Sequence, residues 1–102
     1  MDVRDKSAIV IGLGRSGVAA ARLLLTHGAR VTANDAAPLE KWSDEARALE
    51  AAGAVLAPGG HHHADFANAD FVVISPGVPT FAALDAFEAT GREVIGEMEL
   101  AS

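Results

Sequence analysis

The sequence predicts a three-layer α/β fold in which five short parallel strands lie between helices. Apolar, β-branched runs of two to four residues alternate with Ala- and Leu-rich stretches, and glycines close the helical stretches before the next strand begins. Composition points the same way. Half of the 102 residues are apolar, but only four Phe and one Trp are aromatic, so the core is built from Ala, Val, Leu and Ile. That mixture suits helices laid on a sheet better than two sheets face to face. A chain of this length hides roughly two-thirds of the surface it exposes when unfolded, enough for one core.

Residues 8–11, A-I-V-I, are continuously apolar and stop at Gly12, as expected of a strand buried on both faces. Residues 16–27 contain no Gly after Gly17 and no Pro, and Gly28 supplies the left-handed stop beyond a helix. Residues 31–33 read as a second strand ending at Asn34 and Asp35, before Ala37 and Pro38 break the pattern. Ser43 is placed to cap a second helix, with Asp44 and Glu45 at its positive end, Ala46, Leu49 and Ala52 as its buried stripe and Gly53 as its stop. A weak third strand at 54–57 leads into a loop dense in Gly and His at 58–63. The run F-V-V-I at 71–74 is the fourth strand and 75–79 a turn. Residues 81–89 make a third helix before Gly91, and Val94 with Ile95 a fifth strand. Crossovers of this length are right-handed and return the chain in the same direction, so the strands run parallel, in the expected order 3-2-1-4-5. Residues 97–102 read as the start of a connection to a further domain, with Glu97 and Glu99 facing solvent or that domain.

The net charge of −6, with eight Lys and Arg, argues against nucleic acid as a partner, because phosphate-backbone binders present a basic face. Without cysteine there are no disulfides, which fits a reducing compartment, and the cytoplasm is the expected location. The charged start and the brief apolar run behind it match neither a signal sequence nor a membrane span.

Gly12, Gly14 and Gly17 form G-x-G-x-x-G directly after a predicted strand and at the mouth of a predicted helix, the context in which this pattern is informative. Gly12 permits the tight turn, Gly14 lets a diphosphate approach the backbone, and Gly17 lets the helix lie close to the strand. Unpaired amides and the helix dipole favour an anion there, with Arg15 adding a charge and Ser16 a hydroxyl. Asp35 follows 18 residues after Gly17 at the end of the second strand, where an acid meets a ribose hydroxyl or a base N–H. Together these features specify a Rossmann-like nucleotide-binding domain. The turn alone does not decide between a dinucleotide and a sugar diphosphate.

The segment G-L-G-R-S-G-V-A-A-A-R-L-L at 12–24 resembles the N-terminal segment of the UDP-N-acetylmuramoyl-L-alanine:D-glutamate ligases, members of the Mur ligase family. Ser75-Pro76-Gly77-Val78-Pro79 is similar to that family's loop after the fourth strand, and Gly96-Glu97-Met98-Glu99-Leu100 to its exit from the fifth. Sister ligases share the S-P-G loop but typically carry a G-x-G-G-x-G-M turn. The resemblance implies an enzyme that uses ATP and magnesium to activate a carboxylate as an acyl phosphate, which the amine of D-glutamate attacks. It implies for residues 1–96 the binding of the UDP end of UDP-N-acetylmuramoyl-L-alanine. Gly14, Arg15, Ser16 and Gly17 then lie near the diphosphate, Asp35 and Ala36 near the uracil, and Ser75, Pro76 and Gly77 close the pocket. The ATP-binding phosphate loop G-T-N-G-K-[ST] is not in these 102 residues, so ATP, magnesium and catalytic groups are expected in central and C-terminal domains of a longer chain. One departure is that Ala36 and Ala37 follow Asp35 where related enzymes carry a basic or hydroxyl side chain.

Other features weigh less. Three successive histidines, His61, His62 and His63, point in different directions in an extended loop and have no Cys or close carboxylate pair to complete a metal site, so no metal is expected. Trp42 reads as a partly buried ring over a sheet edge, and Ser75 as a turn residue without a nucleophile elbow around it. Two other readings stand beside the ligase domain: a small NAD-binding regulatory module, and an interaction domain with a vestigial crevice.

Overall fold

The computed structural model describes residues 2–97 and residue 100, and for His63 only the backbone. Five parallel strands form one sheet in the order β3-β2-β1-β4-β5, as the sequence predicts. They are β1 (Ser7–Ile11), β2 (Arg30–Asp35), β3 (Val55–Pro58), β4 (Phe71–Ile74) and β5 (Glu93–Gly96). β1 is central, in register with β2 from Ser7 opposite Arg30 and with β4 from Ala8 opposite Phe71.

Alternation along the strands sorts the core into two layers. Ala8, Val10, Val31, Ala33, Phe71, Val73 and Ile95 face one side, where helix α1 (Arg15–Thr26) adds Val18, Ala21 and Leu24 and the short helix α2 (Asp44–Arg47) adds Ala46. Ile9, Ile11 and Val72 face the other, under Leu84 and Phe87 of helix α3 (Ala82–Ala89). α1 and α3 end as expected, before Gly28 and Gly91, both with positive φ.

Several elements differ from the sequence reading. Ser43 does cap α2, its Oγ accepting from the Ala46 amide at 3.1 Å, but regular helix stops at Arg47 and the chain reaches Gly53 through turns. Ala46 and Leu49 are buried as expected, whereas Ala52 is exposed. Trp42 is 6% exposed, deeper than a ring lying over an edge, and its indole N–H donates to the Ala37 carbonyl at 2.9 Å.

The crossover from β3 to β4 holds two short 3-10 turns, His61–His63 and Phe66–Asn68, where the sequence suggests only a loop. Arg92 holds the second in place. Its Nη1 donates to the carbonyls of Phe66, Ala67 and Ala69 at 3.2, 3.0 and 2.8 Å, while the guanidinium lies 4.3 Å from the Phe87 ring centre. Past β5, Glu97 and Leu100 are helical; Met98, Glu99, Ala101 and Ser102 lie outside the described residues.

Candidate nucleotide-binding turn

The C-terminal edge of the sheet gathers the residues that the sequence singles out. Gly12 leaves β1 with φ +90°, and its amide donates to the carbonyl of Asn34 at 2.9 Å. On the other side the Ser75 amide donates to the carbonyl of Ile11 at 3.0 Å, so the turn is pinned between the ends of β2 and β4. A Cβ on Gly12 would stand 2.8 Å from the Ser75 Cβ, which brings the S-P-G loop against the glycine turn. That loop is a closed turn, with the Val78 amide donating to the Ser75 carbonyl at 3.1 Å, and it leaves Pro76 and Gly77 exposed.

The other two glycines differ in kind. A Cβ on Gly17 would fall 1.8 Å from the Gly12 carbonyl oxygen, so the first turn of α1 lies directly on the backbone leaving β1. Gly14 caps α1 with φ −70° and has nothing within 4 Å of an added Cβ. Among the described residues no side chain caps α1, no acid sits within its first turn, and Gly14, Arg15 and Ser16 are exposed. The positive end of this 12-residue helix is therefore open on the Gly14 side. A cavity of about 380 Å³ opens against it, lined by Leu13, Gly14, Arg15, Val18, Ser43 and Glu45, on the side of α2 and not toward β4.

Asp35 stands beside this turn, with both carboxylate oxygens engaged. Oδ2 accepts from the Leu13 amide at 2.8 Å and Oδ1 from the Ala37 amide at 2.9 Å, so the acid holds the glycine turn to the end of β2. Ala36, between those partners, is exposed. Replacing the acid, Asp35→Ala, is expected to cost about 1 to 3 kcal/mol of stability because two part-buried amides lose their acceptor. An unchanged urea midpoint would show that water satisfies them equally well.

One residue of this edge was not singled out from sequence. Asn34 is fully buried, and its Nδ2 donates to the carbonyls of Ala57 at 2.8 Å and Gly60 at 3.0 Å. Its Oδ1 lies 2.6 Å from Nδ1 of His61, whose ring stacks on Phe81 with centres 4.1 Å apart. Burial holds the His61 pKa below the ordinary histidine value; the field of Asp35 opposes that shift and His62 adds to it. The signal available in the sequence was a polar side chain next to Ala33 at the end of an otherwise buried strand.

Glu97 departs from expectation more sharply. It is 7% exposed rather than facing solvent, and its Oε2 is buried with no hydrogen-bond partner among the described residues. That oxygen lies 3.7 Å from where a Gly17 Cβ would be. That proximity to Gly17 puts the Glu97 carboxylate against the first turn of α1. Among the described residues no group of three His, Cys, Asp or Glu side chains can hold a metal ion, and no helix is long and apolar enough to cross a membrane.

Fold and site together define a class: a Rossmann-like α/β domain whose glycine-rich turn offers an uncapped helix start at the centre of a parallel sheet. Comparison with known proteins narrows it. Residues 6–96 match the family described as Mur ligase MurD-like, N-terminal domain. The chain is 43% identical over 103 residues to a UDP-N-acetylmuramoylalanine--D-glutamate ligase of Desulfosudis oleivorans, covering 100% of this chain and 22% of the relative. The ligase of the same description from Geobacter metallireducens is 45% identical over 103 residues, covering 100% and 23%. This chain belongs to the Mur ligase MurD-like N-terminal domain family. It spans less than a quarter of the length of these relatives.

Solved structures agree on the fold. A pseudomurein peptide ligase type C from Methanothermus fervidus superposes with a TM-score of 0.72 at 24% identity, over 94% of this chain and 20% of that one. SirC, a precorrin-2 dehydrogenase, superposes with a TM-score of 0.62 at 22% identity, over 92% and 45%.

Proposed function

We propose that this domain binds the UDP moiety of UDP-N-acetylmuramoyl-L-alanine for an ATP-dependent ligase that adds D-glutamate during peptidoglycan precursor synthesis in the cytoplasm. The observation that carries the reading is the uncapped start of α1, open at Gly14, in a chain whose relatives are described as UDP-N-acetylmuramoylalanine--D-glutamate ligases. Amides without acceptors at a helix N-terminus suit a diphosphate, and Arg15 and Ser16 supply a charge and a hydroxyl beside them. Asp35, through the backbone amides it holds, and the exposed Ala36 beside it frame the uridine side, and Ser75, Pro76 and Gly77 bound the opposite side of the turn.

In this proposal ATP and magnesium, which supply carboxylate activation, belong to the remaining length of the longer enzymes that carry this domain. No step of that chemistry runs through the residues described here. The domain's part is to hold one end of a long substrate, so that its free carboxylate reaches the reacting groups elsewhere.

Gly14→Val tests the reading. Its φ and ψ are open to any residue and its Cβ would meet nothing, so the variant should fold with an unchanged denaturation midpoint. The valine side chain then occupies the space of the diphosphate, and calorimetry should show UDP binding reduced beyond detection. Equal UDP binding by wild type and variant would remove the turn from the site. Tighter binding of NADH than of UDP by the wild type would favour the NAD-binding regulatory module instead.

A further inference from the structure

Glu97 brings a buried carboxylate to the nucleotide turn from outside the glycine motif. The side chain is 7% exposed, and among the described residues its Oε2 has no hydrogen-bond partner. Removing an unpaired carboxylate from water is costly, so positive potential has to offset it. The start of α1 supplies that potential. Oε2 lies 3.7 Å from the position of a Gly17 Cβ, in the first turn of a helix with neither a side-chain cap nor an acid of its own there. Glu97 thus reaches, from the end of β5, the same turn that is open at Gly14.

The side chains around that turn are mostly acidic. Asp35 accepts from the Leu13 amide, Glu45 lines the cavity beside Gly14 and Glu97 lies against Gly17, while Arg15 is the cation among them. Among the described residues Arg15, Glu45 and Glu97 take part in no ion pair. Arg15 and Glu45 are exposed, so salt screens them, whereas the buried Glu97 keeps its field. An anion on the amides of α1 is attracted by hydrogen bonds to one phosphate, and it is repelled by Glu97 in proportion to all the charge it carries. A diphosphate esterified at both ends has one charge on each phosphate. A free terminal phosphate has about two once its second proton leaves, near pH 6.

We propose that Glu97 is a specificity-determining residue, whose buried charge makes the turn select diphosphates esterified at both ends over diphosphates that end in a free phosphate. The inference rests on the nucleotide-binding reading given above, whose substrate is of the first kind. Selection comes from repulsion of the wrong ligand and needs no contact with the right one.

The test titrates the 102-residue chain with UDP and with UDP methylated on its terminal phosphate, at pH 8, in low salt and with divalent cations chelated, and follows amide shifts by NMR. Wild type is expected to bind the methyl ester about fivefold more tightly than UDP. Glu97→Gln keeps the size of the side chain and removes its charge; it should bind both ligands more tightly and lower the ratio to about twofold or less. Glu97→Met, which buries no polar group, repeats the measurement should the glutamine variant not fold. Glu88→Gln makes the same change in net charge on the exposed side of α3, across the sheet, and should keep the wild-type ratio. Near pH 5, where UDP loses its extra charge, wild type should bind the two ligands alike. A ratio unchanged by the Glu97 variants, a ratio lowered as far by Glu88→Gln, or wild-type binding of UDP at least as tight as that of its ester overturns the role of Glu97 and leaves the nucleotide reading intact. Binding of neither ligand by wild type overturns both.

Discussion

Gly17→Ala is expected to unfold this domain or cost it about 3 kcal/mol or more, a large share of the stability of a domain this size. The added methyl would stand 1.8 Å from the Gly12 carbonyl oxygen, and 2.9 Å from its carbon. Neither partner is the end of a flexible side chain. Gly12 is held at φ +90° with its amide on Asn34, and α1 is held by Val18, Ala21 and Leu24 against the sheet. Relief requires lifting the helix from the core that it helps to form. Helix propensity alone predicts the reverse, because alanine is favoured over glycine within a helix by about 1 kcal/mol. Urea denaturation therefore gives opposite signs for the two arguments. A midpoint equal to or above wild type would show that the turn opens at little cost.

Asn34→Leu is the second large effect, expected at about 3 kcal/mol. The side chains are similar in size, so no cavity is involved, and a β-strand flanked by apolar residues would ordinarily welcome leucine. The loss comes from three polar groups deprived of partners at once: the carbonyls of Ala57 and Gly60 and Nδ1 of His61. An unmade hydrogen bond inside a protein costs more than a made one contributes. Because the three lie in or just before the crossover to β4, the loosening should be local first, and amide exchange across residues 57–64 should quicken more than in β1. Protection unchanged across that segment would mean that water enters and replaces the amide.

How far the sequence reached differs by element. The strand run at 71–74 and the strand order were legible, because alternation in a fully covered sheet leaves a strong apolar signature. α2 was overestimated because Ser43, Asp44 and Glu45 are a sound helix start, and a start carries no information on length. The turns at His61–His63 and Phe66–Asn68 left little local signal, since they are held by Asn34 of β2 and by Arg92 just before β5. In the site, the glycine turn and its acid could be located from spacing, and what the acid holds could not. In the folded chain Asp35 ties the end of β2 to the turn through both carboxylate oxygens.

The sequence by itself determined the architecture, the position of the nucleotide-type turn and the family, all of which follow from patterns local in the chain: apolar periodicity, glycine placement and short motifs. The tertiary structure alone decided which polar groups are spent on holding the fold and which remain for a ligand. Gly14 is open where Gly17 is filled by backbone, Glu97 is buried, and the amide of Asn34 determines which nitrogen of His61 bears a proton. The reason is that hydrogen-bond satisfaction and steric room depend on partners 5 to 27 residues or more away in the chain, whose meeting only the packed sheet brings about.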